Sequence, residues 1–463
     1  MPMSRSYSVL LAAAAALLLC AGAHARDFNE KKVVLNLAVL SDTHVDGPNT
    51  VPAYKFRSCL VQERNFAAHY GGLDGVLLAG DLVNAPAWDA NKYTQIDDWK
   101  RLYESVFDPK VTPMVYSVGN HDTWKEWTPN TYREAKQFTR RFGPDYYLTD
   151  VGDPEMRDSL ECRHCVIGGC HILCLTPDGR DPVVYPERAV RWLDETLKEI
   201  TDAEPDRYVL LLTHAMIYGT VYGSTLDDTY PKHNGYWSTK ALTEVLSKYP
   251  QVIVFGGHLH YPLNDPRSIW QGDFTSVGTA SVRYMAIDNG GYERMAGLTT
   301  MKDRDEFSQG LLLQFDARGN LRIMRMDFYN QTTVGEPWVL KHPSADRSHL
   351  RKYSHVARAA ANKAPTLSSL DVKGGKGSIS VSFAAGQDDE FVHTYFITVS
   401  RDGNAVCTKK ILSDFYHEPR TELMKKSWTE TIQLESGDYT VSLKACDSWG
   451  AESNTLSAPV TVE

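Results

Sequence analysis

Five short segments of this chain each place an Asp, Asn or His directly after an apolar, strand-like run. Carboxylate, amide and imidazole groups in such a mixture are the ligands of Mn, Fe or Zn rather than of soft, sulfur-loving metals. A single segment of this kind occurs by chance in many chains, but five in succession indicate a metal centre. The segments are Ser41-Asp42-Thr43-His44, Gly80-Asp81-Leu82, Gly119-Asn120-His121-Asp122, Thr213-His214 and Gly257-His258-Leu259-His260.

The positions of these side chains predict that they converge. In an open α/β sheet, residues just past the carboxyl ends of the strands face the site crevice. Asp42 and His44 are two residues apart across a turn, so both can reach one ion, and His258 and His260 share a side as alternate residues of extended chain do. A carboxylate at Asp81 can bridge two cations. Two such ions generate hydroxide near neutral pH and hold the oxygens of a phosphoryl group during an in-line displacement.

The five-part pattern Asp-x-His, Gly-Asp, Gly-Asn-His-Asp, His and Gly-His-x-His resembles the signature of calcineurin-like metallophosphoesterases, over roughly residues 33–330. The resemblance implies a two-sheet α/β sandwich with a dinuclear centre and direct attack of metal-activated water on phosphorus. It also implies a role for each residue. Asp42, His44, Asp81 and His260 would hold one ion, and Asp81 would bridge to a second ion held with Asn120, His214 and His258. His121 would be the general acid or charge stabiliser, with Asp122 as its orienting partner.

Other residues narrow the choice among relatives. Purple acid phosphatases carry Gly in place of His44 and a Tyr ligand after the Gly-Asp motif, where this chain has Leu82-Val83-Asn84, so an iron–tyrosinate centre is not expected. The stretch Phe142-Gly143-Pro144-Asp145-Tyr146-Tyr147 resembles a segment of cyclic-nucleotide-phosphodiesterase-like members. A phosphodiester substrate is therefore the first hypothesis, and a phosphomonoester remains open because selectivity depends on loop shape. A non-catalytic binding protein is the alternative class, but no ligand of the motif is missing.

Four residues are candidates for substrate contact. Tyr218 and Tyr222 follow His214 in a Gly-containing loop, and Trp124 follows His121. Arg283 could hold a phosphate oxygen. Ordinary roles compete with these: an aromatic residue can pack over the rim of the site, and an exposed Arg most often forms a surface salt bridge.

Composition and the N-terminal residues indicate which partners and which compartment to expect. The 463 residues are 42% hydrophobic and carry a formal net charge of −9, which argues against a protein that binds a nucleic-acid duplex. Arg5, an apolar run from Ser8 to Cys20, and Ala23-His24-Ala25 together predict a signal peptide over residues 1–25. We therefore expect a secreted or periplasmic protein with no membrane span in its mature chain; an N-terminal anchor is the alternative.

Export makes disulfides possible. Cys162, Cys165, Cys170 and Cys174 surround a predicted hairpin turn at Gly168-Gly169, and we expect one or two local disulfides there. A zinc knuckle is the competing interpretation, and Cys174 could instead be a free core thiol. A bridge between Cys407 and Cys446 is a further expectation.

The chain divides into two predicted folded regions. Strands alternate with helices over residues 26–341, which predicts a layered α/β metallophosphoesterase domain. Residues 342–364 are read as a linker. Short strands over residues 365–463 predict an all-β sandwich that resembles a fibronectin type III module. We expect a small phosphate ester as substrate, two transition-metal ions as cofactors, and a surface or glycan contact as one possible role of the C-terminal module.

Overall fold

The computed structural model describes residues 28–84, 91–123, 140–142, 161–177, 183–225, 237–287, 303–418 and 420–463. The predicted signal peptide lies outside them. Up to residue 340 the described strands are β1 (Val33–Leu40), β2 (Gly75–Ala79), β3 (Met114–Ser117), β4 (Cys162–Ile167), β5 (Cys170–Leu175), β6 (Val183–Val184), β7 (Val209–Leu212), β8 (Trp237–Ser238), β9 (Val252–Gly256), β10 (Ile269–Gln271), β11 (Thr275–Gly278), β12 (Gln309–Asp316), β13 (Leu321–Asp327), β14 (Thr332–Thr333) and β15 (Trp338–Leu340). The α-helices are α1 (Val51–Ala67), α2 (Asn91–Glu104), α3 (Asn120–Thr123), α4 (Glu187–Ala203), α5 (Lys240–Leu246) and α6 (His355–Ala361).

Two mixed sheets form the centre of this region. The first has the strand order β14-β13-β12-β1-β2-β3, with β15 beside β13, and the second has the order β10-β11-β9-β7-β5-β4. Strands β1, β2 and β3 run parallel in the first sheet, and β5, β7, β9 and β11 run parallel in the second. The carboxyl ends of each parallel set therefore lie at one edge of its sheet.

The apolar faces of the sheets and helices determine how these elements stack in layers. Alternate residues of β1 and β7, such as Leu37 and Leu210, pack in one core between the two sheets. The opposite face of the first sheet packs on α1 and α2 through residues such as Phe56 and Trp99. Helix α4 covers the second sheet through Ala189, Leu193, Leu197 and Ile200, which share one helical stripe. The predicted two-sheet α/β sandwich with flanking helices is confirmed.

The C-terminal region is all-β after α6. Its strands are β16 (Asp371–Gly375), β17 (Ser378–Ala384), β18 (Val392–Arg401), β19 (Asn404–Leu412), β20 (Ser427–Gln433), β21 (Gly437–Asp447) and β22 (Leu456–Val462). They form a three-stranded sheet, β16-β17-β20, and a four-stranded sheet, β19-β18-β21-β22, with antiparallel neighbours throughout. Their inner faces share one apolar core. At the start of β21 the Tyr439 hydroxyl donates to the carbonyl of Glu435 at 3.0 Å.

The cysteine prediction was wrong for the β4–β5 hairpin. None of its four cysteines, all of which are described, forms a disulfide. Cys162 faces the α4 side, whereas Cys165, Cys170 and Cys174 face the core between the sheets. In the register, Cys165 lies opposite Ile172, so the cysteines on its face are only its diagonal neighbours. Diagonal pairs are about 7–8 Å apart, beyond the reach of a disulfide. Cys174 is buried in this core without a disulfide, which agrees with the alternative interpretation of a core thiol.

The expected bridge in the C-terminal sandwich is also absent. Cys407 pairs with Val399 of β18, whereas Cys446 pairs with Thr394 on the opposite side of that strand. The intervening strand keeps the two sulfur atoms apart. None of the helices in the described ranges combines the length and apolar character that a membrane span requires.

Candidate metal centre

The five segments singled out in the sequence all follow parallel strands. They begin after β1, β2, β3, β7 and β9, at the carboxyl edges of the two sheets. Backbone hydrogen bonds tie them to one another: the Asp42 amide donates to the carbonyl of Gly80 at 3.0 Å, and the Gly257 amide donates to that of His214 at 3.1 Å. The edges of both sheets therefore form one continuous site.

The backbone of this site is strained. Five of the seven predicted metal ligands have positive φ angles, a conformation that costs a non-glycine residue about 1–3 kcal/mol. Such residues persist where the surrounding structure enforces them, and they concentrate at functional sites. The five are Asp42 (51°), His44 (43°), Asp81 (52°), His258 (69°) and His260 (55°).

Two glycines allow the segments to approach closely. Gly80 has a φ of 85°, and a Cβ there would lie 2.5 Å from Nδ1 of His214. A Cβ at Gly257 would lie 2.4 Å from Oδ2 of Asp42. Both positions therefore exclude any side chain, and the Gly-Asp and Gly-His motifs have a packing reason as well as a chemical one.

One group of donors surrounds a first position. His260 Nε2 lies 3.0 Å from Asp42 Oδ1 and 3.4 Å from His44 Nε2. His44 Nε2 lies 3.8 Å from Asp42 Oδ1. Donors arranged tetrahedrally at about 2.1 Å from a metal ion are about 3.4 Å apart. The spacing of these three donors therefore fits a single transition-metal ion.

A second group lies beside the first. His214 Nε2 is 3.1 Å from Asn120 Oδ1 and 3.3 Å from Asp81 Oδ2. Asp81, His214 and His258 offer donor atoms that all lie within 4.8 Å of one another. Asp81 Oδ2 is also 3.7 Å from Nε2 of His44, which belongs to the first group. Asp81 thus lies between the two groups, where a bridging carboxylate is required.

The protonation states suit metal binding. Burial lowers the pKa of His44 and His258 well below the usual histidine value, so both imidazoles are held neutral, the form that binds metals. Burial opposes charge on His214 most strongly, but the Asp81 and Asp42 carboxylates and the Ala79 carbonyl together outweigh burial and raise the pKa of His214 to about 9. A buried anion therefore demands a cation here. His214 also has its Nδ1 at 2.8 Å from the carbonyl of Ala79, which directs Nε2 towards Asp81.

His121 lies at the edge of the site. Its backbone amide donates to Asp81 Oδ1 at 2.8 Å, and its ring meets that of His44 edge-on with centroids 4.6 Å apart. The side chain is half-buried, unlike the seven predicted ligands, which are buried. Its Nδ1 is 3.2 Å from the carbonyl of Asn84. His121, His44 and Asp81 also form a third donor group, so its position permits ligation as well as proton transfer.

The expectation that Asp122 orients His121 is not met. The Asp122 carboxylate instead accepts the backbone amides of Leu82, Val83 and Gly119 at 2.9–3.1 Å. It thereby joins the segment after β2 to the segment after β3. A side chain this short, one residue after His121 in the first turn of α3, reaches backbone amides more readily than the adjacent imidazole. Burial and the charge of Asp81 raise the pKa of Asp122 to about 7.

The four substrate candidates have different surroundings. The Arg283 amide donates to the carbonyl of Asp42 at 3.2 Å, and its guanidinium is 3.7 Å from Asp46, so Arg283 lies at the rim of the site. The Tyr218 amide donates to Oγ1 of Thr239 at 2.9 Å.

Tyr222 reaches the C-terminal sandwich. Its hydroxyl is 2.8 Å from Nε2 of His393, and Arg267 stacks on its ring at 3.8 Å. These contacts give Tyr222 a role between the two regions. Trp124, the fourth candidate, lies outside the described residues.

Tyr284 is a neighbour of the site that the sequence motifs do not reveal. Its ring centroid is 4.4 Å from that of His260 and 6.0 Å from that of His44. The guanidinium of Arg304 lies 4.7 Å from the same ring. The available signal was positional: Tyr284 follows β11, a further parallel strand of the second sheet, just as the five segments follow theirs.

The comparison with protein families agrees with this geometry. Residues 35–262 match the calcineurin-like phosphoesterase family. No curated protein matches the chain. Among solved structures, purple acid phosphatase PPD1 from yellow lupin (Lupinus luteus) seeds is 13% identical over 69% of this chain, with a TM-score of 0.43, and the chain covers 56% of that protein. The protein TT1561 of Thermus thermophilus is 12% identical over 65% of this chain and 97% of its own, with a TM-score of 0.28.

A further solved structure matches a smaller share of the chain. The structure named FN3tt is 15% identical over 22% of this chain and 97% of its own, with a TM-score of 0.16. For the α/β region, the family match and the paired donor groups agree on one assignment. Residues 35–262 therefore form a calcineurin-like phosphoesterase domain.

Proposed function

We propose that this chain hydrolyses a phosphate ester, preferentially a phosphodiester, by direct attack of water without a covalent enzyme intermediate. One observation supports the proposal above the others: Asp81 lies between two groups of buried donors, Asp42, His44 and His260 on one side and Asn120, His214 and His258 on the other. Two bound transition-metal ions would supply hydroxide near neutral pH and positive charge for the phosphoryl oxygens.

Protein residues would attract the cations and hold their carboxylate ligands in place. The buried carboxylates of Asp42 and Asp81 supply negative charge that favours cations. The backbone amide of His258 donates to both oxygens of Asp42 at 3.1–3.2 Å, which fixes that carboxylate. Oδ1 of Asp81 is fixed by the His121 amide, leaving Oδ2 towards the histidines. A site held in this way needs little rearrangement when substrate binds.

His121 is the proposed general acid. The contact of Nδ1 with the carbonyl of Asn84 orients the ring, and the proton to be donated would be carried on Nε2. A half-buried imidazole at the rim can reach the leaving oxygen of a bound ester, whereas the buried ligands cannot. Donating a proton to that oxygen would prevent an unstable alkoxide from leaving.

A substrate comparison tests the proposal. The protein would be stripped of metal, reloaded separately with Mn, Fe or Zn, and assayed with bis-p-nitrophenyl phosphate and p-nitrophenyl phosphate. We expect metal-dependent hydrolysis, with a higher kcat/KM for the diester. A higher value for the monoester would assign a phosphomonoesterase instead, and inactivity on both with every metal would favour a binding protein.

We also propose the wider organisation of the chain. Residues 1–25 are a signal peptide, so the mature protein is secreted or periplasmic. Residues 26–341 are the catalytic domain, residues 342–364 a linker, and residues 365–463 a fibronectin type III-like module. The three-plus-four strand arrangement and the Tyr439 contact with an upstream carbonyl are features of that type of sandwich and support this reading.

A further inference from the structure

The C-terminal sandwich shares a core with the catalytic region. Phe391, Leu412 and Phe415 are buried in the same apolar cluster as the residues between the two α/β sheets. Polar contacts cross the same boundary: Asn264 donates to the carbonyl of Glu418 at 2.6 Å. The sandwich is thus packed on the α/β region through buried surface, which differs from a module joined to it only by a linker.

One of these contacts lies close to the metal centre. The Tyr416 hydroxyl donates to Oδ1 of Asp303 at 3.0 Å, and His417 Nε2 lies 3.0 Å from Oδ2. Both oxygens of a single carboxylate are therefore held by two consecutive residues of the module. The hydrogen bond from His417 is the main reason that the pKa of Asp303 lies below its usual range.

Asp303 is adjacent to Arg304, and Arg304 leads back to the site. The carbonyl of Arg304 accepts the amide of Met285 at 3.0 Å, and its guanidinium lies 4.7 Å from the ring of Tyr284. Tyr284 in turn packs against His260 and His44. A continuous series of contacts therefore runs from the module to the histidines of the first donor group.

Neighbouring backbone bonds hold the Tyr284 segment in place. The amide of Ala286 donates to the carbonyl of His260 at 3.1 Å, and the amide of Val282 donates to that of Ser41 at 3.2 Å. The segment is thus fixed to the metal-binding loops on one side, whereas Arg304 and Asp303 connect its other side to the module. Removing the module contacts should release Arg304 without releasing the ligands.

We propose that Arg304 and the phenol of Tyr284 bind the oxygens of the phosphate ester, and that Tyr416 and His417 of the C-terminal module position Arg304 for this task through Asp303. This inference rests on the proposed phosphoesterase function. The chemistry follows from the groups present: a guanidinium and a phenol both donate hydrogen bonds to phosphoryl oxygens. The Tyr284 ring lies beside His260 and His44, and the Arg304 guanidinium lies against that ring. Because these groups bind the substrate and not the metals, their loss should weaken binding and leave the ions in place.

The experiment uses the full-length, metal-loaded protein with the double variant Tyr416→Phe/His417→Leu. We expect KM for bis-p-nitrophenyl phosphate and Ki for inorganic phosphate to rise about tenfold, while kcat changes less than about twofold and metal content is unchanged. The variant His417→Gln with Tyr416 intact keeps a side-chain donor, so its KM and Ki should stay close to the wild-type values. Tyr439→Phe is the matched control, because it removes a tyrosine hydroxyl from the same module away from Asp303.

Two further measurements separate positioning from general damage. Arg304→Gln should raise KM by a similar factor, and adding it to the double variant should produce little further increase, since the residues act through one contact series. Amide hydrogen exchange at Met285 should become faster in the double variant, whereas exchange at Ala286 should not.

An unchanged KM in the double variant, or a loss of metal that accompanies the loss of activity, would overturn the inference. So would unchanged exchange at Met285. If the wild-type protein proves inactive, the proposed function fails, while the exchange measurement still decides whether the module positions Arg304.

Discussion

The metal edge is the part of the α/β sheets where the five segments follow β1, β2, β3, β7 and β9. This edge and the C-terminal sandwich are both built on strands, but they differ in backbone strain. At the metal edge, five predicted ligands have positive φ angles and buried ionisable side chains. In the described part of the sandwich, Asp402 is the one non-glycine residue with a positive φ, and it lies in the tight turn with Gly403 between β18 and β19. Elsewhere the sandwich follows ordinary alternation of buried and exposed residues, as in β21.

The difference in backbone strain marks the part of the fold that must position metal ligands. Side chains from five loops must converge within a few ångströms at the metal edge, and in the loops after β1, β2 and β9 left-handed backbone is part of how the ligands are brought together. The sandwich has only to form a core, so its turns and pairings can be relaxed. Substitutions at the metal edge should therefore change catalysis more than stability, and substitutions in the sandwich away from Asp303 should do the reverse.

The largest effect is expected from Asp81→Asn. An amide at this position removes the negative charge shared by the two donor groups, so hydrolysis should fall by about a thousandfold or more and metal content should decrease. Steady-state kinetics and elemental analysis would measure both. Asp438→Asn in the sandwich is a matched control. An active variant with its full metal content would contradict the site assignment.

His121→Ala should have the next largest effect. Loss of a general acid typically lowers kcat by about a hundredfold or more, and here the metal content should stay unchanged. The exposed His69 provides a matched control substitution. Loss of one or both ions from the His121 variant would show instead that His121 is a ligand, as its presence in the third donor group permits.

Gly257→Ala should act through packing alone. Its Cβ would lie 2.4 Å from Oδ2 of Asp42, so this carboxylate must move and the first ion should bind about tenfold more weakly. Competition with a chelator would measure the change. Gly278→Ala is the control, since its Cβ would meet its nearest neighbour at an ordinary 3.7 Å. Equal metal affinity in the two variants would argue against the close approach.

Tyr439→Phe should have the smallest effect on activity. The substitution removes the hydrogen bond from the Tyr439 hydroxyl to the carbonyl of Glu435. The free energy of unfolding should therefore fall by about 1 kcal/mol, while kcat/KM stays at the wild-type value. Denaturant unfolding and kinetics would check the two halves of this expectation. A large loss of catalysis would mean that the sandwich and the metal edge are coupled more broadly than through Asp303.

The sequence predicted the features that depend on local pattern. The apolar run Val33–Leu40, which precedes the first of the five segments, is a strand, because a continuous apolar stretch is typical of a strand buried on both faces. The convergence of the five segments was predicted for a similar reason, since each polar residue directly follows such a run.

Features that depend on tertiary contacts were not predicted. Tyr284 and Arg304 meet where the backbone of Met285 is hydrogen-bonded to that of Arg304, and no local motif marks either residue. The disulfide prediction failed because spacing in sequence does not reveal strand register. Strands β16 and β19 have weak signals in the sequence, because β16 ends in Gly374-Gly375 and β19 carries Lys409 and Lys410, which weaken the apolar alternation.

Metal titration of the stripped, full-length protein tests the central claim most directly. Binding stoichiometry and hydrolysis of bis-p-nitrophenyl phosphate would be followed together as Mn, Fe or Zn is added. The two donor groups joined by Asp81 predict that two ions bind per chain and that full activity returns only when both are bound. Full activity with one ion per chain, or without any, would contradict the account.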